Sequence, residues 1–212
     1  MTKVLIIGAN GRIARWAVEM LAGKEIDLTL FVRDASRLAG APDTAQVAEG
    51  DARDEKAVAE AVRGQDIVYA NLAGEIDTQA ERIVAAMQSQ RVQRLIFVTA
   101  LGIYDEVPGP FGQWNRRQIG SVLDTYRAAA DTIEASTLDY TILRPAWLTD
   151  NDEISYEVTQ RNEPFKGTEV SRKSVAGLIA DIISSPDTWS PTNLCVDKPV
   201  TDWDRPAFMC RL

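Results

Sequence analysis

The 212-residue sequence contains no histidine. This absence excludes catalytic triads and general bases that depend on imidazole, together with metal sites built on histidine ligands. Only two cysteines are present, Cys195 and Cys210, and their spacing matches no zinc-binding or disulfide-exchange motif. We therefore expect no metal site, and we expect reduced thiols, which are typical of a cytoplasmic protein.

The sequence also lacks an apolar run long enough to span a bilayer, and its opening apolar run is too short for a secretory signal. Acidic residues outnumber basic ones by 31 to 23, so the formal net charge is −8. An excess of negative charge disfavours a nucleic-acid backbone or an anionic membrane as a partner. We expect a small molecule as the partner, and a monomer or a homodimer.

Short apolar runs alternate with segments of helical periodicity along most of the chain. The predicted strands are Val4–Ile7, Leu28–Val32, Ala45–Ala48, Ile67–Ala70, Leu95–Val98, Tyr140–Leu143 and Leu194–Val196. The predicted helices are Gly11–Leu21, Asp54–Val62, Asp77–Gln90, Gln118–Ala135 and Ser171–Ser184. This alternation predicts an α/β fold with a doubly wound parallel sheet of the Rossmann type.

The later part of the chain has a looser pattern. Residues 101–114 are rich in glycine and proline and are predicted to be irregular. Residues of about 145–170 and 186–212 are predicted to form a small C-terminal substrate lobe and tail. We expect all of residues 1–212 to belong to one nucleotide-binding domain.

A glycine motif, G-A-N-G-R-I-A at residues 8–14, lies between the first predicted strand and the first predicted helix. Glycine allows a sharp turn and a close approach of backbone to a pyrophosphate, and the helix N-terminus offers free N–H groups. The position favours nucleotide binding over the alternative, a purely structural turn. The residues expected to contact the cofactor here are Gly8, Asn10, Gly11, Arg12 and Ile13.

Further motifs follow the glycine loop in a fixed order. They are F-V-R-D at 31–34, G-D-A at 50–52, N-L-A-G at 71–74, F-V-T-A-L-G at 97–102 and D-Y-T-I-L-R-P-A at 139–146. Together with the G-x-x-G-x-x-A spacing, this set resembles the atypical short-chain dehydrogenases/reductases, in the branch of NmrA-like proteins and flavin or biliverdin-IXβ reductases. The resemblance implies that Asp51 and Ala52 border the adenine, and that Leu72, Ala73 and Gly74 pass beneath the ribose and pyrophosphate.

The choice between NAD and NADP depends on the end of the second predicted strand. NAD-binding proteins usually carry Asp or Glu there to bind the ribose 2′-hydroxyl, whereas this sequence has Arg33. A guanidinium can bind a 2′-phosphate through two hydrogen bonds, and Arg12, Ser36 and Arg37 can complete the pocket. We therefore expect NADPH in preference to NADH. The alternative is that Arg33 is an ordinary surface arginine.

Many members of the superfamily use a Ser-Tyr-Lys set, in which the tyrosine acts as acid or base. In the alignment that the resemblance implies, the lysine position falls on Tyr126 and the tyrosine position on Val122. Thr99 or Ala100 stands at the position of the serine. The set is broken, so Tyr126 is expected to bind the nicotinamide ribose rather than to act in alcohol–ketone chemistry.

Hydride transfer to a flat acceptor does not need that set, because the reduced product is stabilised by resonance. Aromatic and small residues after the fifth and sixth predicted strands are candidates for holding such an acceptor: Tyr104, Phe111, Trp114, Pro145, Ala146 and Trp147. Tyr104 is expected to donate a hydrogen bond to the substrate. The alternative is that Phe111, Trp114 and Trp147 only pack in the core. Similarly, Arg116 and Arg117 either receive an acidic substrate or begin a solvated helix.

These observations predict an NADPH-dependent oxidoreductase that transfers hydride to a small planar acceptor, such as a flavin or a quinone. The candidate catalytic residues are Thr99, Tyr104 and Tyr126. A second hypothesis is a non-catalytic NAD(P)-binding redox sensor of the NmrA-like type, which the broken catalytic set also fits. A third is a structural protein that has kept the fold and lost the nucleotide.

Overall fold

The computed structural model describes residues 1–210 of the chain. The strands are β1 (Thr2–Ile7), β2 (Ile26–Val32), β3 (Gln46–Glu49), β4 (Ile67–Ala70), β5 (Arg94–Val98), β6 (Asp139–Pro145), β7 (Trp147–Thr149), β8 (Glu157–Gln160), β9 (Glu169–Ser171) and β10 (Thr192–Asp197). The α-helices are α1 (Arg12–Leu21), α2 (Glu55–Val62), α3 (Ile76–Gln90), α4 (Gly109–Glu134) and α5 (Arg172–Ser184). None of the helices within residues 1–210 is both long enough and apolar enough to cross a membrane.

Eight of the strands form one sheet in the order β3-β2-β1-β4-β5-β6-β10-β8. All of its neighbouring pairs are parallel except β10 and β8. The first six positions follow the strand order of a dinucleotide-binding Rossmann fold, in which the chain reverses direction across the sheet between β1 and β4. The predicted fold class is confirmed.

Both faces of the sheet are covered, which explains why the central strands are apolar without interruption. On β1, Val4 and Ile6 belong to one buried cluster, whereas Leu5 and Ile7 belong to the other. Helices α1 and α5 cover the first face, and α2, α3 and most of α4 cover the second. Each fully buried Val, Leu or Ile contributes about 1.5–3 kcal/mol, so these two clusters hold the sheet and helices together.

The start of one helix was predicted too late, and the edge strand β8 was not predicted. Helix α4 begins at Gly109 rather than at Gln118, because Pro110 lies in the first turn, where a helix does not need its N–H. The irregular segment is therefore shorter than predicted and ends before Gly109. The polar segment 157–160, in which no strand was predicted, forms β8 at the edge of the sheet, antiparallel to β10.

The segments predicted to form a C-terminal lobe contribute to two sheets. Strands β7 and β9 pair in parallel and make a separate two-stranded sheet. Strands β8 and β10 instead extend the main sheet beyond β6. The assignment of these segments to a substrate lobe stays a prediction.

Asp197, at the end of β10, is a carboxyl group that is completely buried. It accepts a hydrogen bond from the backbone N–H of Gly167 at 2.9 Å, and Glu157 and Lys166 lie near it. Burial raises the pKa of Asp197 to about 7, and the neighbouring carboxylate of Glu157 adds to the effect. In the unfolded chain this group ionises near its ordinary value of 3.8.

We predict that Asp197→Asn makes the protein more stable than wild type above pH 7. Because the buried carboxyl must ionise on unfolding between these two pKa values, it lowers the wild-type free energy of unfolding by up to about 1.4 kcal/mol per pH unit. Asparagine does not ionise, so the free energy of unfolding of the variant does not fall with pH in this way. Urea unfolding at about pH 5 and about pH 8 measures the difference.

The exposed Asp204→Asn variant is the control, because it changes the same type of residue without burial. Its stability relative to wild type is expected to stay constant with pH. A difference between wild type and Asp197→Asn that does not grow with pH would contradict the assignment.

Candidate functional site

The glycine loop connects β1 to α1 and packs against the end of β4. Gly8 has a φ of +84°, and a Cβ added there would lie 2.3 Å from the backbone oxygen of Asn71. A Cβ on Gly11 would lie 2.7 Å from Nδ2 of the same asparagine. Gly8 therefore requires glycine, because a side chain there would be strained and would collide with backbone, whereas a side chain at Gly11 would force the amide group of Asn71 to shift.

The N-terminus of α1 has no side-chain cap. Its N-cap is Gly11, and no acidic residue lies in its first turn. Asp54 caps α2 and Ser171 caps α5 through side-chain hydrogen bonds, whereas α3 and α4 also lack a side-chain cap. The N–H groups in the first turn of α1 thus remain available, and the helix dipole favours an anion beside them.

A cavity of about 490 Å³ lies beyond the carboxyl ends of β1, β2 and β4. We call it the loop cavity. It adjoins the point where the strand order reverses, which is where doubly wound sheets bind ligands. The structure brings together eleven of the predicted binding residues in its lining: Gly8, Asn10, Gly11, Arg12, Ile13, Arg33, Arg37, Asp51, Ala52, Leu72 and Ala73.

Two residues that the sequence predicted for this site do not line the loop cavity. Ser36 is exposed, and its hydroxyl donates a hydrogen bond to Asp34 instead of remaining free for a ligand. Gly74 has a φ of +91° and no atom within 4 Å of an added Cβ, so it serves the turn after β4. The prediction that these two residues bind the cofactor has no support in the geometry.

Two arginines that line the loop cavity have no ion-pair partner, whereas its two carboxylates accept hydrogen bonds from neighbouring residues. Arg33 and Arg37 are exposed and form no ion pair within 4.0 Å among the described residues. Hydrogen bonds from Ser36 lower the pKa of Asp34 and keep its carboxylate on the adjacent turn. Bonds from Arg53 lower the pKa of Asp51 to about 2.

Arg172 is a residue of the site that the sequence did not reveal. It lies in the helix predicted over Ser171–Ser184, whose N-cap Ser171 accepts a hydrogen bond from the N–H of Ser174 at 2.9 Å. Arg172 itself contacts Asp150 at 2.7 Å, and Asp150 also contacts Arg12 at 2.8 Å. The starts of α1 and α5 are thus joined beside the loop cavity by one shared carboxylate.

Other lining residues of the loop cavity were also missed. They are Ile7, Arg15, Phe31, Val32, Asp34, Gly50, Asn71, Gln79 and Leu148. Asn71 opens the N-L-A-G motif at 71–74, and its position directly after a buried strand indicates a place at the site. Leu148 and Arg172 are distant in sequence from the glycine loop and gave no such signal.

A second cavity of about 490 Å³ adjoins the first, and both are lined by Ile13, Asn71, Leu72, Leu148 and Arg172. We call it the aromatic cavity. Five predicted residues line it: Thr99, Tyr126, Pro145, Ala146 and Trp147. Its remaining walls are mainly apolar and come from Val98, Ala100, Leu101, Asn115, Ile119 and Phe208.

Most polar groups in the aromatic cavity are already engaged. Thr99 is buried and donates its hydroxyl hydrogen to the carbonyl of Leu143 at 3.2 Å. Asn115 accepts a hydrogen bond from Nε1 of Trp147 at 2.8 Å and donates one to the carbonyl of Leu101. Thr99 and Asn115 therefore hold the walls of the cavity in place, and most of their hydrogen-bonding groups are not available to a ligand.

Tyr126 differs from these residues because its hydroxyl has no hydrogen-bond partner within the described part of the chain. Burial raises its pKa, so the phenol stays protonated at neutral pH and can donate. No lysine is found among the described residues that line this cavity. The arrangement offers a hydrogen-bond donor but not the lysine-assisted phenolate of the Ser-Tyr-Lys set.

Tyr104 lies outside both cavities, so the predicted contact of its hydroxyl with substrate is not supported. The hydroxyl donates to Glu134 at 3.1 Å and accepts from Nδ2 of Asn193 at 2.9 Å. Burial raises the pKa of Tyr104 to about 12, and Glu134 adds to the effect. The sequence placed this residue after the correct strand, but tertiary packing turned it away from the cavities.

The loop that carries Tyr104 is anchored by a buried ion pair. Arg144 is completely buried and pairs with Glu106, which also accepts hydrogen bonds from the N–H groups of Gly102 and Tyr104 at 3.0 and 2.9 Å. Removing one partner of such a pair leaves a buried charge. The pair therefore holds the segment between β5 and α4, which forms part of the wall of the aromatic cavity.

Phe111 and Trp114 pack rather than line a cavity. The ring of Phe111 lies 6.3 Å from that of Phe165, and the ring of Trp114 lies 4.6 Å from that of Trp147. Trp114 thus packs against Trp147 without lining the aromatic cavity itself. Arg116 and Arg117 are exposed and line a separate cavity together with residues of the segment 102–112, and no residue of the glycine loop lines it.

Comparison with known proteins identifies the kind of ligand that such a site holds. Residues 8–186 match the NAD(P)H-binding family. A Rossmann-fold NAD(P)-binding family protein from Shigella flexneri is 49% identical over 99% of this chain and 100% of its own, with a TM-score of 0.85. A short-chain dehydrogenase/reductase from Veillonella parvula, solved in complex with NADP, is 27% identical over 98% and 99%, with a TM-score of 0.91.

A third solved structure shows the fold alone. It is ChuY from Escherichia coli, described as an anaerobillin reductase. It is 23% identical over 97% of this chain and 100% of its own, with a TM-score of 0.80.

We predict that Gly8→Ala weakens NADP(H) binding by at least about tenfold, because the added Cβ meets a backbone oxygen and must shift the loop. The matched control is Gly23→Ala. Gly23 has a φ of +79° but open space around it, so it shares the backbone strain without the collision. Fluorescence titration with NADPH, together with thermal unfolding, separates lost binding from lost stability. Equal nucleotide affinity in the two variants would show that the contact with Asn71 does not shape the site.

Proposed function

The chain belongs to the NAD(P)H-binding family, and from this premise we propose that it is an NADPH-dependent oxidoreductase of a small planar acceptor of the flavin or quinone class. The observation that carries the proposal is the pair of adjoining cavities. One has the glycine loop, the uncapped helix and free arginines, and the other has apolar and aromatic walls. We further propose a small molecule as its partner, a monomer or homodimer, and a cytoplasmic location.

The residues of the loop cavity fit a dinucleotide. Gly8 and Gly11 have no side chains, so their backbone can approach a pyrophosphate closely, and the first turn of α1 supplies N–H donors. Arg12 and Arg172 share Asp150 and can turn toward the phosphates. When bound, a reduced nicotinamide supplies the hydride for the reaction.

The preference for NADP rests on Arg33 and Arg37. Both line the loop cavity without an ion-pair partner, while the carboxylate of Asp34 is held by Ser36. The guanidinium groups of Arg33 and Arg37 are therefore available to a 2′-phosphate, while the carboxylate of Asp34 is hydrogen-bonded to Ser36. The NADP complex of the Veillonella parvula relative supports the same choice.

The acceptor is proposed to be planar because of what lines the aromatic cavity. Trp147, Pro145 and Leu148 provide apolar walls, and the free hydroxyl of Tyr126 provides one hydrogen-bond donor. Hydride transfer to a flavin or a quinone leaves negative charge on a ring nitrogen or on a carbonyl-derived oxygen, which takes a proton from water or from such a hydroxyl. Val122, at the tyrosine position of the usual set, is 42% exposed and does not line this cavity.

The competing function is a non-catalytic sensor that binds NAD(P) and docks a partner. The missing tyrosine–lysine pair favours the sensor as much as it favours a planar acceptor. The aromatic cavity favours the enzyme, because a sensor does not need a second cavity joined to the first. A structural protein without nucleotide is disfavoured by the match of residues 8–186 to the NAD(P)H-binding family.

We predict that Arg33→Asp weakens NADPH binding by roughly 30- to 1000-fold, since attraction to the 2′-phosphate is replaced by repulsion. The affinity for NADH, which lacks that phosphate, is expected to change by less than about threefold. Fluorescence titration with both coenzymes gives the two dissociation constants. Arg63→Asp, an exposed arginine outside the lining of either cavity, controls for the change in net charge. The same loss for both coenzymes would mean that Arg33 does not read the 2′-phosphate.

We also predict that the purified protein consumes NADPH in the presence of a free flavin or a naphthoquinone, as measured by the loss of nicotinamide absorbance. Tyr126→Phe removes the free hydroxyl and is expected to lower kcat by about tenfold or more. Tyr140→Phe is the control, because Tyr140 lines neither cavity. Tight binding of NADPH with no turnover across a panel of such acceptors would favour the sensor instead.

A further inference from the structure

The C-terminal segment contributes an aromatic residue to the aromatic cavity. Phe208 lies in a short 3₁₀ helix, Ala207–Cys210, and is the lining residue farthest along the chain. Its side chain is 40% exposed, so it adds little to the packing of the core. A half-exposed aromatic ring on the rim of an apolar cavity is placed to cover a ligand rather than to fill the interior.

The segment that carries Phe208 is fixed to the rest of the molecule by buried contacts. The backbone N–H of Ala207 donates to Oε2 of Glu169 at 2.8 Å, and Glu169 is only 7% exposed. Earlier in the segment, the buried Thr201 accepts hydrogen bonds at its carbonyl from the N–H and the hydroxyl of Thr168, at 2.9 and 2.7 Å. The position of Phe208 is therefore set by the fold.

The two-stranded sheet of β7 and β9 also carries Trp147, which forms another wall of the aromatic cavity. Glu169 of β9 is in register with Trp147 of β7, and the N–H of Trp147 donates to the carbonyl of Thr168 at 3.1 Å. Trp147 and the anchor of Phe208 are thus neighbours in one two-stranded sheet. Tyr126 enters the cavity from α4, independently of that sheet.

We propose that Phe208 is a specificity-determining residue that covers a planar ring system in the aromatic cavity. The proposal rests on the proposed function and deepens it. It names the acceptor class as a flat, largely uncharged ring system with a hydrogen-bond acceptor on its edge for Tyr126. A cavity of about 490 Å³ lies within the range that holds a ligand of this size. Phe208 acts by stacking and takes no part in proton or hydride transfer.

The test is acceptor binding without turnover. Protein saturated with NADP⁺ is titrated with riboflavin and, in a second series, with menadione, and binding is followed by quenching of flavin or tryptophan fluorescence. Stacking of a ring on an aromatic side chain is lost in Phe208→Ala, so the dissociation constant is expected to rise by about five- to hundredfold. Phe208→Trp keeps an aromatic face and is expected to restore binding. NADPH affinity is expected to stay unchanged in both variants.

Trp203→Ala is the matched control, since Trp203 is an aromatic residue of the same segment that is 48% exposed and does not line the cavity. In steady-state turnover, Phe208→Ala is expected to raise the KM for the acceptor much more than it lowers kcat. Wild-type acceptor affinity in Phe208→Ala, or an equal loss in Trp203→Ala, would overturn this inference and leave the proposed function intact. Failure of the wild-type protein to bind either acceptor, with NADPH binding intact, would overturn the proposed function and this inference with it.

Discussion

The close contact between the glycine loop and the end of β4 is the constraint on which the rest of the site depends. A Cβ on Gly8 would collide with the backbone oxygen of Asn71, and a Cβ on Gly11 would press against the side-chain amide of the same residue. The contact exists because β1 and β4 are adjacent parallel strands, with Ile7 in register with Ala70. It fixes the direction of α1, and with it the N–H groups that face the loop cavity.

The two cavities adjoin because elements distant in sequence meet at the same edge of the sheet. Leu148 follows β6, Arg172 begins α5 and Ile13 lies in the first turn of α1, yet all three line both cavities. The shared carboxylate of Asp150 links the two helix starts, at positions where each helix carries a partial positive charge. Two adjoining cavities at one edge of the sheet follow from this convergence.

Local charge at the site differs in sign from the charge of the whole chain. The net charge is −8, which argues against a polyanion as the main partner. The loop cavity is nevertheless lined by Arg12, Arg15, Arg33, Arg37 and Arg172. Its two carboxylates, Asp34 and Asp51, are held by Ser36 and Arg53. The site can thus select a small anion within a molecule that repels large ones.

The sequence by itself determined the Rossmann-type fold, the place of the glycine loop and about half of the lining of the loop cavity. These features depend on local patterns: apolar runs of strand length, helical periodicity, and glycines directly after a strand. The start of α4 and the edge strand β8 escaped the same reasoning. Glycine and proline are read as helix breakers even where a first turn accepts them, and a polar edge strand has no apolar signature.

Only the tertiary structure decided which aromatic and charged side chains reach the ligand. Tyr104 and Trp147 both follow strands at the correct edge, but Glu134 and Asn193 hold Tyr104 away from the cavities, while Trp114 and Asn115 support Trp147 in the wall. Arg172 and Phe208 join the site through contacts with residues far from them in sequence. Side-chain direction at the end of a strand is set by its packing partners, and such partners leave no mark in the local sequence.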